Sequence, residues 1–367
     1  MEIPRDQPPI SEVHSKSKAG FLILLFIILA VIGIGSYFLI MNNSSQSDNS
    51  ECQTHFKMAY IYLYEASSHS EINLNRLKNA KSLHQDVFNI AGREKITLDI
   101  TYQVFSIEIT ELNRERFINS EKNDQGFYLN FQEVIKTFYQ ENPDDFDFIS
   151  IFTNFPLDDT GSSSDYHMSV QNKIQGMGQM TFDDSSNFGS SGKLLGWNYI
   201  GNLNQIYSQE ALEEFSEEQI NCMTAIGGLV HETAHQWVAY IGSPEGGESK
   251  LILQNKFANH WISGLNIGYD PVGGGRWKNN NDGTFTLLEP EEFCASRDSL
   301  VKDRYGIAKF SDLSLYLLGA IDSREVEPIL WIDYEGPLSP GETINSESKY
   351  ISIKEIIKEE GKRICLI

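Results

Sequence analysis

Cysteine and positive charge are both scarce in this chain. Four cysteines occur in 367 residues, Cys52, Cys222, Cys294 and Cys365. No two form a C-x-x-C pair, which argues against a metal site built on paired thiolates. An even number fits two disulfides in any of three pairings, and it equally fits four buried thiols. Cys52 and Cys365 lie near the two ends of the folded part, so a bridge between them would tie those ends together. Lys and Arg number 29 against 51 Asp and Glu, for a formal net charge of −22. Phosphate backbones need clustered cations, so the balance argues against nucleic acid as a partner. It is also a poor match to anionic lipid surfaces. The charge itself reads as solubility. The chain carries no internal repeats.

Charge of either sign is absent from Gly20 to Met41, an apolar run as long as the roughly 20 residues needed to cross a bilayer. Ser36-Tyr37-Phe38-Leu39 offers no small-residue cleavage site, so the run reads as a retained anchor rather than a cleaved signal. Arg5, Lys16 and Lys18 precede it, and no Lys or Arg follows until Lys57. The positive-inside rule then predicts a cytoplasmic tail (residues 1–19), a transmembrane helix (20–41) and an extracytoplasmic remainder at the cell membrane. Residues 42–51 are rich in Asn, Ser, Gln and Asp and read as a flexible stalk.

Beyond the stalk, elements alternate. Strands are predicted at His55–Tyr64, Ile96–Ile109 and Phe146–Phe152, from alternation or compact apolar runs. Between them, helices are predicted at Asn73–Ile90, closed by Gly92, and at Asn130–Tyr139, closed by Asn142-Pro143. This β-α-β-α-β order predicts a largely parallel, twisted sheet with crossover helices. Tyr166–Met180 reads as a further strand in which Gly176 and Gly178 let a second backbone approach. Asp183–Gly192, rich in Ser and Gly, reads as a mobile loop. Ser216-Glu217-Glu218-Gln219 has the form of a capping box. It opens a helix carrying Ile220, Met223, Val230, Ala234 and Trp237 and ending at Gly242 and Pro244. The folded part divides on this reading into residues 52–242 and an irregular C-terminal subdomain, 243–367, with a helical stretch near Ser311–Ala320.

The second half of that helix contains His231-Glu232-Thr233-Ala234-His235. Residues four apart share a helix face, so two imidazoles can meet one metal ion. Glu232 stands beside them, placed to take a proton from a metal-activated water. The bland alternative is an accidental motif on a surface helix. The surrounding Val230, Ala234 and Trp237 make the helix largely buried, where two His and a Glu need partners.

A twisted sheet, an HExxH helix and a less regular C-terminal part resemble the zincin metallopeptidases, over about residues 55 to 320. The resemblance implies an α+β, zincin-like fold. It also implies zinc (Zn2+) held by His231 and His235, Glu232 as general base, and a protein or peptide substrate. The short metzincin extension of the motif is absent, because Val238 and Ile241 occupy its Gly and His positions. Leishmanolysin-like members insert residues before their third His. His260 is the only His downstream, and Pro271-Val272-Gly273-Gly274-Gly275 follows where metzincins place their Met-turn, with Val272 at the Met position. A gluzincin arrangement would use a Glu instead, the candidates being Glu245, Glu248, Glu289, Glu291 and Glu292. His260 is the favoured third ligand, with a Glu as the alternative.

Weaker signals have plainer readings. Asn279-Asn280-Asn281-Asp282-Gly283 has Lys278 at the first ligand position of a calcium loop, and it reads as a hairpin turn. Leu313–Leu318 reads as core. Tyr269 and Tyr316 each carry a hydroxyl that could face a developing oxyanion, although most tyrosines only pack. The sequence thus predicts a membrane-anchored extracytoplasmic zinc metallopeptidase, with substrate extended along an edge strand near Ile174 to Met180. The alternative is a non-catalytic surface or binding protein that keeps the fold.

Overall fold

The computed structural model describes residues 52–366, apart from 68, 123–127, 158–164, 243–252, 255–258, 290–307, 335 and 337–338. The predicted tail, transmembrane run and stalk lie outside the described residues. Among those described, no helix is long and apolar enough to cross a membrane. Met1–Asn49 and Ser50–Ile367 separate as two units, and the second carries the fold described below.

The longest strands belong to a five-stranded sheet. β1 (His55–Glu65) is flanked in parallel by β2 (Thr97–Ile109) and β3 (Phe148–Thr153). The crossover helices that parallel pairing requires are α1 (Ser70–Ala91) and α2 (Phe131–Glu141). Asn130 caps α2 by accepting from the Glu133 amide at 3.2 Å. β1 shows why both faces are covered. Met58, Tyr60 and Tyr62 point into one core with Leu77, Phe88 and the HExxH helix, while Ala59, Ile61 and Leu63 point into a second with Val134, Ile135 and Phe138 of α2.

The sheet is completed by strands of less obvious sequence. After β4 (Tyr166–Ser169), β5 (Gly196–Asn202) pairs in parallel with β3 and is buried throughout. β4 pairs antiparallel to β5 and forms the edge, in the order β2-β1-β3-β5-β4. The architecture is therefore mixed α/β on a mostly parallel sheet, as the element order predicted.

Three expectations need correction. Tyr166–Met180 is not one strand: Gln171–Asn172 pairs with Phe182–Asp183, and Ile174–Gln175 pairs with β13 (Ile364–Cys365) at the far end of the chain. Gly176 and Gly178 do admit other backbones, because a Cβ there would lie 2.5 Å from the Lys362 carbonyl and 2.4 Å from that of Tyr240. The Ser- and Gly-rich Asp183–Gly192 segment is ordered, with a 3-10 turn at Ser185–Phe188. Asp144 ties it down by accepting from the Ser190 hydroxyl (2.7 Å) and the Ser191 amide (2.6 Å).

The third correction concerns the C-terminal part, which is rich in strands rather than irregular. β6 (Trp261–Asn266) pairs with β7 (Gly273–Gly275) and with β10 (Ile329–Ile332), which in turn pairs with β12 (Ser348–Ile351). β8 (Trp277–Asn279) and β9 (Thr284–Leu287) form the predicted hairpin, extended by β11 (Thr343–Asn345). Its turn is closed by its own side chains, with Asp282 accepting from the Thr284 amide at 2.9 Å and hydroxyl at 2.6 Å. Short strands joined by non-local pairing leave little periodicity to read. Cys52 and Cys365 form a disulfide with Cα atoms 5.5 Å apart, tying the two ends as expected. Cys222 is disulfide-bonded as well, and Cys294 lies outside the described residues.

Candidate metal centre

The centre starts at Ser216. Its hydroxyl accepts from the Gln219 amide (3.2 Å) while Gln219 Oε1 accepts from the Ser216 amide (2.8 Å), which closes the predicted capping box. The helix proceeds through α3 (Glu217–Met223), a π-helical segment Thr224–Val230 and α4 (His231–Ala234). Wide π turns inside helices often accompany functional sites. Here the π segment immediately precedes the motif. Ile226, Leu229, Val230, Ala234 and Trp237 bury one face against the sheet. Thr233 fixes the rotation about the helix axis by accepting from Asn198 Nδ2 of β5 at 2.9 Å. Asn198 Oδ1 faces His167 Nδ1 of the edge strand at 2.7 Å. Gln236 Nε2 donates to the Gln171 carbonyl at 2.8 Å.

This leaves the opposite face for chemistry. His231 Nε2 lies 3.3 Å from His235 Nε2 and 3.1 Å from His260 Nε2. Among the described residues, these three His form a group whose potential ligand atoms all lie within 4.8 Å of one another. A tetrahedral ion with metal–nitrogen bonds of about 2.0–2.1 Å holds its ligand atoms about 3.3 Å apart. The observed Nε2 separations match that edge. His231 Nδ1 donates to the Pro271 carbonyl at 2.7 Å, which leaves the Nε2 lone pair free to face a metal. Burial holds the His231 pKa below its ordinary value, with His260 adding to the effect and the Pro271 carbonyl opposing it. His235 is pushed down to about 2 by burial, then by His231, His260 and His167. These two imidazoles are therefore neutral at neutral pH, the form in which imidazole ligates. Three converging imidazole nitrogens fit a borderline divalent ion.

Glu232 completes the group. It is 6% exposed, and its Oε1 lies 3.9 Å from His231 Nε2. Burial raises its pKa to about 8, with Asp165 contributing. Asp165, which precedes the edge strand, is itself raised to about 7 by burial. Tyr166 is raised by burial and then by Glu232. Sequence reading had not singled out Asp165, Tyr166, His167 or Asn198. The signal that could have found Tyr166 and His167 is the alternation of Tyr166 and Met168 with His167 and Ser169 on a strand ahead of the motif.

The structure places the other candidates as follows. Glu289 is exposed, near Tyr269 and Arg276, and does not join the three imidazoles. Glu245, Glu248, Glu291 and Glu292 lie outside the described residues. Val272 is fully buried. The Tyr269 hydroxyl donates to the Leu288 carbonyl at 2.9 Å, and Tyr316 is buried in the core with Arg363 over its ring. Leu313–Leu318 is core, as read. The sheet edge beside the motif helix is β4 and not Ile174–Met180, whose only strand, Ile174–Gln175, is already paired with the C-terminal strand. No protein-family model matches the chain, and no curated protein matches its sequence.

Proposed function

We propose that this chain is a zinc metallopeptidase of zincin-like architecture. The observation that carries the reading is the convergence of His231, His235 and His260 with Glu232 beside them. A bound Zn2+ would supply Lewis acidity, making water a nucleophile near neutral pH and polarising a peptide carbonyl. His231, His235 and His260 would hold it, leaving a fourth position open. A cation held by the three imidazoles would oppose the burial that raises the Glu232 pKa, and the ionised carboxylate would take the proton from the attacking water and return it to the leaving amine. Its burial holds the carboxyl group beside the converging imidazoles, with Oε1 3.9 Å from His231 Nε2. Substrate runs extended beside the β4 edge, main chain to main chain. The Gly20 to Met41 run anchors the enzyme with residues 42–367 outside the cytoplasm. Protease added to intact cells would then remove the catalytic part, and full protection would refute that placement.

The decisive experiment compares wild type with Glu232→Gln on a general protein substrate such as casein, with and without a chelator. Wild type should digest casein and stop when chelated. The variant should keep its zinc while the rate falls by about 10²- to 10⁴-fold, the usual contribution of a general base. Hydrolysis by Glu232→Gln at the wild-type rate would refute the assignment. Zinc-loaded wild type that cleaves nothing would favour a non-catalytic binding protein.

A further inference from the structure

One buried carboxylate organises the metal centre without touching it. Asp270 is 3% exposed and sits at the start of the tight turn Asp270–Gly273, where the Gly273 amide donates to the Asp270 carbonyl at 3.0 Å. The flanking backbone is sharply bent, with φ of 58° at Tyr269 and 113° at Gly273. The turn presents two successive carbonyls to two different ligand-bearing elements. Pro271 accepts from His231 Nδ1 at 2.7 Å. Val272 accepts from the Trp261 amide at 2.8 Å, and Trp261 directly follows His260. The helix that carries His231 and the strand that directly follows His260 therefore take their relative position from one four-residue turn.

Asp270 fixes that turn at both ends. Oδ1 accepts from the Val272 amide at 3.3 Å within the turn, and Oδ2 accepts from the Ser311 amide at 2.9 Å. Ser311 is the N-cap of α5 (Asp312–Leu318), a helix packed into the main core. The Ser311 and Ser314 side chains also hydrogen-bond the carboxylate, while burial acts to raise its pKa. Both oxygens are needed as acceptors. A carboxamide has one oxygen and an NH2 group, so it would set a donor against either the Val272 or the Ser311 amide. Leaving a buried amide unpaired is costly, so the turn would move.

We infer that Asp270 is a positioning residue that sets metal affinity, by clamping the Asp270–Gly273 turn that orients His231 and His260. This rests on the metal-centre reading proposed above. Groups that orient metal-binding imidazoles typically change affinity by about 10- to 100-fold when removed. The test is the Zn2+ dissociation constant, measured by chelator competition on folded protein, for wild type, Asp270→Asn, Ser311→Ala and Leu317→Ala. Asp270→Asn should weaken zinc about 10- to 100-fold. Ser311→Ala keeps the backbone donor and loses only a hydroxyl, so it should fold and weaken zinc by a smaller factor. Leu317→Ala deletes core volume in α5 away from the turn. It should lower the unfolding temperature of the metal-free protein while leaving zinc affinity unchanged. Wild-type affinity in both Asp270→Asn and Ser311→Ala overturns the inference. So does weakening in Leu317→Ala equal to theirs, since metal loss would then merely follow stability. Should Asp270→Asn fail to fold, Ser311→Ala against Leu317→Ala decides. Wild type that binds no Zn2+ overturns both this inference and the proposed function. Zinc binding without peptide hydrolysis overturns only the latter.

Discussion

Acid should destabilise this protein through His84, by an amount that follows from its surroundings. His84 lies on α1, 1% exposed, with Nδ1 2.9 Å from the Tyr60 hydroxyl of β1. Nε2 has no well-aligned hydrogen bond. Burial lowers the pKa from 6.5 to about 4, with the Asn221 backbone pulling the other way. Above pH 6.5 neither the folded nor the unfolded chain protonates this group. As pH falls below 6.5, the unfolded chain takes up a proton that the folded chain refuses until about pH 4. Stability is therefore lost across that window, and the loss is complete below it. At about 1.36 kcal/mol per pH unit, the gap amounts to about 3 kcal/mol. His84→Asn removes the titration and puts an oxygen where Nδ1 met the Tyr60 hydroxyl. Urea unfolding of both proteins at about pH 7.5 and about pH 4 isolates the effect, because other titrating groups cancel in the difference. Wild type should lose about 3 kcal/mol relative to His84→Asn on acidification. A difference that does not change with pH refutes the account.

Three other outcomes are expected. His260→Ala should lose Zn2+ as severely as His235→Ala, while Glu289→Gln keeps it. Plasma spectrometry on folded, purified variants reads this directly, and zinc retained by His260→Ala would point to a ligand outside the described residues. Replacing Cys52 and Cys365 together by Ser opens a cross-link spanning 313 positions. It should cost about 3–5 kcal/mol of unfolding free energy in urea titrations. Gly264→Ala would place a Cβ 2.1 Å from the Ile332 carbonyl, so it should separate β6 from β10 and lower the unfolding temperature by several degrees or more in a calorimetric scan.

Local signals dominated what could be read from the sequence. The motif and the Ser216 capping box each act within a few residues, and so each was legible. β1, α1, β2 and β3 were legible from local pattern: β1 and β3 are compact apolar runs covered on both faces, and α1 buries Leu77, Ala80, His84 and Val87 at helical spacing. β5 escaped notice although it is a fully buried strand beside β3. Its Gly196, Asn198, Gly201 and Asn202 are residues that strands avoid. Tertiary context overrides that preference. A Cβ at Gly196 would lie 2.6 Å from His167 and 2.7 Å from Gln236, and Asn198 is the hydrogen-bonding link to Thr233. The residues that made β5 unreadable are thus those that seat the motif helix on the sheet. Similar reasoning accounts for the edge. Ile174–Met180 looked like a free strand, but its partner lies nearly 200 positions later, at Ile364–Cys365, where no local pattern could announce it.

The third imidazole shows where local reading stops. Spacing alone established that His231 and His235 share a face, because helix geometry is local and repetitive. His260 belongs to no such repeat. Its position depends on Trp261 pairing with Val272, on Pro271 accepting from His231, and on Asp270 reaching α5. Each of these contacts joins segments 11 to 41 positions apart, and the sequence between positions 235 and 260 is compatible with many returns of the chain. Only the fold selects the one that brings His260 Nε2 to 3.1 Å from His231 Nε2. Three half-buried imidazoles meeting at that distance turn nitrogen lone pairs toward one another or compete for a proton. A metal ion removes that conflict, and this is the physical argument for one at this centre.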